Sequence, residues 1–174
     1  PTSEVYPSTP VLLGNLAVDQ DAGSARIGDS LVFTGIRNGE YELWITDGTP
    51  EGTRLLRDIW PGPTGSGPAY FSAHQGRVYF VAATPGHGSE LWVTDGTSAG
   101  TREVADVWEG VGSSVPRQMT GIGGLVYFTA DSPTTGRELW VTDGAAAGTR
   151  LDTDIRPGAR STRPARVPAH GAKL

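Results

Sequence analysis

The stretch ELWVTDGTSAGT, from Glu90 to Thr101, decides the fold, because close copies of it stand at a fixed distance on either side. The triplet Glu-Leu-Trp begins at Glu42, at Glu90 and at Glu138, so successive copies are 48 residues apart. A Thr-Asp-Gly triplet and a later Gly-Thr-Arg triplet recur at the same step. Self-similarity at a period of about 40–50 residues is typical of repeat architectures such as β-propellers.

Each repeat unit contains four predicted β-strands, which are clearest in the second copy. The segment 77–82, RVYFVA, is rich in the aromatic and β-branched residues that favour strands. Leu91 and Val93 alternate with Trp92, which predicts a sheet that is buried on both faces. No segment has an apolar period of 3.6 residues long enough for a helix. The four predicted strands of this unit are 70–74, 77–82, 89–94 and 101–107.

These units predict an all-β chain, a single β-propeller array over 1–174 built from four-stranded antiparallel blades. The first unit is one residue shorter than the others between Phe33 and Glu42, which places a deletion in a loop. Three full blades are predicted at about 24–60, 69–108 and 116–156, with partial terminal strands at 11–17 and 163–174.

Propellers close into a ring with about four to eight blades. Three full blades with two partial ones are too few, so we expect a homo-oligomer in which two chains close one ring. The alternative is a four-bladed monomer in which the first partial strand closes onto the last as a latch.

Composition excludes several classes of protein. The chain has 174 residues, a formal net charge of −5 and no cysteine. The acidic balance argues against a nucleic-acid binder, and the lack of cysteine excludes disulfides and thiolate metal sites. No stretch approaches the 18 apolar residues of a membrane span.

The repeated ELWxxDGT string resembles the bacterial family of tandem repeats that is named for that motif. All three copies match, and the third has Ala145 where the motif has Thr. The flanking segments GGLVYFTAD at 123–131 and DIWPG at 58–62 also fit the spacing of this family. The resemblance implies a β-propeller-like array in a large protein that is secreted or lies on the cell surface. It implies no particular activity.

The repeated aspartates Asp47, Asp95 and Asp143 are candidate calcium ligands, since Ca²⁺ prefers carboxylate oxygens. The Thr-Asp-Gly triplet of each turn offers one carboxylate, whereas a dedicated calcium loop places several at alternate positions. We therefore favour a structural role, in which each Asp bonds the amides of its own turn and the following Gly takes a positive φ. The sequence predicts no metal and no cofactor.

Aromatic residues give a second set of candidates. The tryptophans of the three Glu-Leu-Trp triplets fit core packing between blades. Trp60 and Trp108 lie instead where a fourth strand runs into the connection between units, and Arg156 takes this position in the third unit. These three residues are our candidates for ligand binding.

No nucleophile elbow, phosphate loop or dinucleotide fingerprint is present. We therefore expect no enzyme activity, and instead a recognition or scaffold module that presents propeller loops to a protein or glycan. Two alternatives stay open. One is the propeller portion of a hydrolase whose catalytic residues lie outside this piece, and the other is a purely structural spacer.

Overall fold

A computed structural model describes residues 16–153, and the regular structure there is almost entirely antiparallel β-sheet. Three sheets follow one another along the chain. The one helical segment among the described residues is the short 3₁₀ helix Ala146–Gly148, so the all-β prediction is confirmed. The first sheet contains β1 (Ala17–Val18), β2 (Ser24–Ile27), β3 (Ser30–Arg37), β4 (Glu40–Thr46) and β5 (Arg54–Arg57). The second contains β6 (Ala69–His74), β7 (Arg77–Thr84), β8 (Gly88–Thr94) and β9 (Arg102–Ala105), and the third β10 (Arg117–Ile122), β11 (Leu125–Ser132), β12 (Gly136–Thr142) and β13 (Arg150–Thr153).

The second and third sheets are four-stranded meanders in which each strand pairs with the next along the chain. The first sheet differs at one edge, where β1 and β2 both pair with β3. In the second and third sheets, the first strand is continuous, but its pairing with the second strand shifts register. The shift lies at Tyr70 in β6 (φ 58°) and at Gln118 in β10 (φ 55°). All three sheets thus interrupt the pairing along their first edge, the first by a loop and the others by a bulge.

The hairpin between β3 and β4 explains the length difference between the units. Asn38 and Gly39 have φ of 55° and 86°, as a two-residue turn with both central residues in the left-handed region requires. The equivalent hairpins of the other sheets have three residues, 85–87 and 133–135. The predicted one-residue deletion therefore lies in a loop, as expected.

The first and second sheets pack face to face around one apolar cluster. Val32, Leu43 and Ile45 of the first sheet meet Phe80 and Trp92 of the second. All five side chains are buried, and the rings of Phe80 and Trp92 lie 6.4 Å apart. Strands β2 and β6, the first long strands of the two sheets, also contact one another.

The second and third sheets repeat this arrangement. Leu91 and Val93 of β8 pack against Phe128 of β11, and Trp140 is partly buried against the same cluster. Because Trp92 belongs to the preceding cluster, β8 is buried on both faces, as its sequence predicts. Strands β6 and β10 contact one another as well.

Several predicted elements fall at the margins of the described region. The residues 11–15 and 163–174 of the two predicted partial strands lie outside it. Ala17 belongs to β1, which pairs with the first sheet. Between residues 16 and 153, no helix has the length and apolar character that crossing a membrane requires.

Candidate functional site

The three Thr-Asp-Gly turns join the third and fourth strands of the sheets. In the first, the Asp47 carboxylate accepts hydrogen bonds from the Thr49 backbone N–H at 2.9 Å and the Thr49 hydroxyl at 2.7 Å. Asp95 does the same with Thr97. Asp143 accepts one bond from the Ala145 N–H at 2.9 Å, because Ala145 has no hydroxyl. Each aspartate therefore holds its own turn.

Two glycines that recur in each repeat complete the turn. Gly48, Gly96 and Gly144 have φ near 90°, which is the left-handed region that favours glycine. The Gly of each later Gly-Thr pair lies against the carboxylate, and a Cβ at Gly100 would stand 2.1 Å from Asp95 Oδ1. The repeat therefore needs glycine at two different places for two different reasons, one conformational and one steric.

Hydrogen bonding lowers the pKa of two of these carboxyls. The Thr49 hydroxyl is the largest influence on Asp47, and the Thr97 hydroxyl is the largest on Asp95. The Thr-Asp-Gly triplet of each turn holds a single carboxylate, and the first turn also contains Glu51. No group of three or more potential metal ligands occurs within the described part of the chain.

A second repeated polar site lies in the interior and was not predicted. The glutamate of each Glu-Leu-Trp triplet is buried, with Glu42 4% exposed and Glu90 and Glu138 fully buried. The Glu42 carboxylate accepts bonds from the backbone N–H groups of Ile59 (3.0 Å) and Trp60 (3.1 Å). It accepts two more from Ser66, at 2.7 Å from both N–H and hydroxyl.

Glu90 repeats this contact one unit later. It accepts bonds from the N–H of Val107 at 3.1 Å, the N–H of Ser114 at 2.7 Å and the Ser114 hydroxyl. Burial raises the pKa of the Glu90 carboxyl to about 7, against the opposing effect of these donors. Glu138 is buried in the same way. The positions of the third unit that correspond to Val107 and Ser114 are 155 and 162, and both lie outside the described region.

The serine that meets each glutamate also joins the next sheet. Ser66 O accepts a hydrogen bond from Ala83 N–H of β7 at 2.9 Å, and Ser114 O accepts one from Asp131 N–H of β11 at 2.8 Å. The path from glutamate to serine to the next sheet is therefore continuous. We call this contact the glutamate–serine staple, formed by Glu42 with Ser66 and by Glu90 with Ser114.

The sequence held a signal for the staple. Glutamate recurs in the middle of a buried strand pattern, and a serine follows each of the first two copies 24 residues later. Glutamate is almost never fully buried unless it is paired. A glutamate inside a strand that is apolar on both faces therefore predicts a hydrogen-bonding partner in the interior.

Of the predicted ligand-binding residues, Trp60 and Trp108 lie in the connections that the staple organises. Both are partly buried. The Trp108 indole lies against Gly112, where a Cβ would stand 2.1 Å from the ring. Arg156 lies outside the described region, so the structure brings together no shared site for the three residues.

Trp92 and Trp140, the tryptophans of the second and third triplets, face the preceding sheet. Trp92 lies between the first and second sheets, and Trp140 lies partly between the second and third. Their indole N–H groups are buried and have no hydrogen-bond partner. Trp44 is buried on the face of the first sheet that points away from the second.

Comparison with known proteins adds a likeness in fold. No protein-family model and no curated protein matches the chain. It is similar to a crystal structure of puromycin hydrolase, with a TM-score of 0.52 and 24% identity over 86% of the chain. A serine-to-alanine mutant of that enzyme complexed with PGG gives the same TM-score at 25% identity. The chain spans 22% of the length of these proteins.

Proposed function

We propose that the three sheets are consecutive blades of a β-propeller, and that the chain is a non-enzymatic recognition or scaffold module of a secreted or surface-exposed bacterial protein. Two features support the propeller. The sheets pack face to face in chain order, and their first long strands β2, β6 and β10 are neighbours. Radial packing of four-stranded units produces both features. The resemblance to the ELWxxDGT repeat family supports a secreted or surface-exposed location.

The observation that carries the functional proposal is how the repeated polar residues are used. The turn aspartates bond their own turns, and the buried glutamates Glu42 and Glu90 bond the connections. An active site needs polar groups that converge on an open pocket and remain available to a substrate. The polar residues of this repeat instead hold the turns and the connections between the sheets, which suits a rigid scaffold.

A scaffold of this kind recognises its partner through the connections that it displays. Trp60 and Trp108 stand at equivalent steps in two of them, and both rings are partly accessible. Aromatic rings with an apolar face and an N–H group suit contact with a glycan or a protein surface.

A glycan array with three proteins tests recognition. We expect the purified chain to bind a subset of glycans, and the Trp60→Ala/Trp108→Ala double variant to lose about tenfold in affinity, or about 1.4 kcal/mol. The control is Val111→Ala, whose side chain is 82% exposed in the same connection as Trp108. Equal binding by the double variant would refute the tryptophan assignment. A blank array would favour the spacer or a protein partner.

A second candidate, the propeller portion of a hydrolase, is favoured by one comparison. The chain is 25% identical to a solved hydrolase, and the matched stretch is 22% of the length of that enzyme. In this case the catalytic residues would lie outside the present chain. Assays of the purified chain with chromogenic amide, ester and glycoside substrates should then show no turnover under either proposal. Turnover that a substitution in this chain abolishes would contradict both.

A further inference from the structure

One position near the start of each sheet keeps the same backbone conformation in all three units but not the same residue type. The strand pairings align Gly23, which directly precedes β2, with Tyr70 of β6 and Gln118 of β10. Their φ angles are 81°, 58° and 55°, so all three residues lie in the left-handed region. Glycine adopts this region readily, whereas a bulky residue does so at a cost in free energy. Because glycine satisfies the backbone in the first unit, the tyrosine of the second unit must be retained for its side chain.

The Tyr70 side chain holds an arginine of the next sheet. Arg117 Nη1 donates a hydrogen bond to the Tyr70 hydroxyl at 2.6 Å, and the guanidinium carbon lies 4.5 Å from the centre of the tyrosine ring. One repeat before Arg117 the chain has Ala69, and one repeat after Tyr70 it has Gln118. The pair therefore lies outside the repeated pattern that builds the sheets.

This pair is exposed, and its positive charge is not neutralised by a neighbour. Tyr70 is 46% exposed, and Arg117 is exposed as well. No carboxylate between residues 16 and 153 forms an ion pair with Arg117. The Tyr70 hydroxyl is the acceptor that its guanidinium reaches in this part of the chain. The other N–H donors form a planar fork, whose geometry fits a carboxylate.

We propose that Tyr70 and Arg117 form a binding site for a carboxylate-bearing sugar. The guanidinium bonds the carboxylate, and the exposed part of the tyrosine ring contacts the sugar ring. The contact with the tyrosine orders the arginine before the ligand arrives, which reduces the entropy lost on binding. The proposal rests on the recognition function above and names a class of glycan for a site separate from Trp60 and Trp108.

Calorimetric titration of the full chain with a trimer of galacturonic acid at low ionic strength tests the site. The methyl ester of the trimer has the same rings without the charges, and we expect it to bind at least about tenfold more weakly. Arg117→Ala should weaken binding of the acid by about tenfold. Arg54→Ala removes a positive charge from an exposed residue of β5 and should bind like the parent chain. A peptide of three glutamates has carboxylates without sugar rings and should bind more weakly than the acid.

Tyr70→Gly separates a binding role from a structural one. It should weaken binding of the acid trimer by about tenfold. Its melting temperature should stay the same or rise, because glycine removes the cost of the left-handed conformation. Gln118→Gly is the matched control, since it relieves the same conformation in the third sheet and keeps both Tyr70 and Arg117. This control should bind like the parent chain.

Several outcomes would overturn the proposal. A melting temperature several degrees lower in Tyr70→Gly would show that the pair is structural. Full binding by Arg117→Ala, equal binding of the glutamate peptide, or a parent chain that does not bind the acid would also overturn it. An ester bound as tightly as the acid would overturn the carboxylate site but leave glycan recognition standing. Conversely, a Trp60→Ala/Trp108→Ala variant with unchanged binding on the array would refute the tryptophan assignment alone.

Discussion

Glu90 is a fully buried glutamate, although carboxylates strongly prefer water. An unpaired buried carboxylate costs several kcal/mol, and about 1–3 kcal/mol is the usual penalty for each polar group left without a partner. Ser114 and Val107 supply three donors and so favour the ionised form. Desolvation is the larger effect, and it raises the pKa of the group to about 7. The contact between Glu90 and Ser114 is therefore sensitive to pH near neutrality.

The first prediction is a pH dependence of stability that requires Glu90. Its pKa in the folded chain is about 7, above the ordinary value of 4.5, so the folded state holds the proton more tightly than the unfolded state. The resulting stabilisation is fully present below about pH 4.5 and is lost as the pH rises to about 7. Urea titrations of the parent chain and Glu90→Gln should show the parent losing stability relative to the variant over this window. Parallel pH profiles would contradict the prediction.

The second prediction concerns Trp92, which lies between the first two sheets. Trp92→Ala should lower the free energy of unfolding by about 3–5 kcal/mol, as large-to-small changes in a core do. Trp60→Ala, at a partly buried connection position, should cost less than half as much. Denaturant titration measures both. Equal, small losses would mean that the triplet tryptophans do not carry the inter-sheet packing.

At the scale of elements, strands and hairpins were the most predictable part of the molecule. The third strand of the second unit was predicted at 89–94 and is Gly88–Thr94, because the alternation of Leu91, Trp92 and Val93 fixes its two faces. The Asp-Gly turns were predictable because their geometry depends on residues two to five positions apart. The staple was not predicted, because its partners are 17 and 24 residues apart and meet only after the connection folds back.

The third prediction tests the steric role of the second turn glycine. Gly100→Ala should cost about 1–3 kcal/mol, because its Cβ would overlap the Asp95 carboxylate. Gly86→Ala is the control, since a Cβ there meets nothing within 4 Å and its φ is not in the left-handed region. In the Asp95→Ala background, Gly100→Ala should cost much less. Additive losses in thermal melts would show that the carboxylate is not the obstacle.

The fourth prediction is that the turns need no metal. Asp47 and Asp95 already accept two hydrogen bonds each from the threonine two residues later, and the Thr-Asp-Gly triplet of each turn holds one carboxylate. EDTA should therefore leave the melting temperature unchanged within about 1 °C, a shift well under 1 kcal/mol for a chain of this size. A drop of several degrees that calcium reverses would show that the turns bind the ion.

At the scale of the whole molecule, each sheet is joined to its neighbour by three kinds of contact. Apolar clusters lie between the faces, the staples join the connections, and arginines reach the next hairpin. Arg57 donates to Ser98 O at 2.9 Å, and Arg102 donates to Gly144 O at 2.5 Å. The order of the sheets followed from the repeat. The long-range arginine contacts could not be predicted from the repeat, because the sequence around a surface arginine does not indicate which group it will bond.

The last prediction follows from this nearest-neighbour coupling. In repeat arrays, stability is approximately the sum of unit terms and interface terms, so damage at one interface stays largely local. Leu43 and Leu91 are equivalent, fully buried residues at the first and second interfaces. We expect Leu91→Ala to reduce hydrogen-exchange protection most in β11 and β12, and Leu43→Ala to reduce it most in β3 and β4. Each variant is the matched control for the other, because both remove the same atoms and should cost about 2–5 kcal/mol. Exchange measured by mass spectrometry on peptides from each sheet separates the two patterns. If both variants lose protection equally in all three sheets, the chain unfolds as a single cooperative unit, and the nearest-neighbour description is wrong.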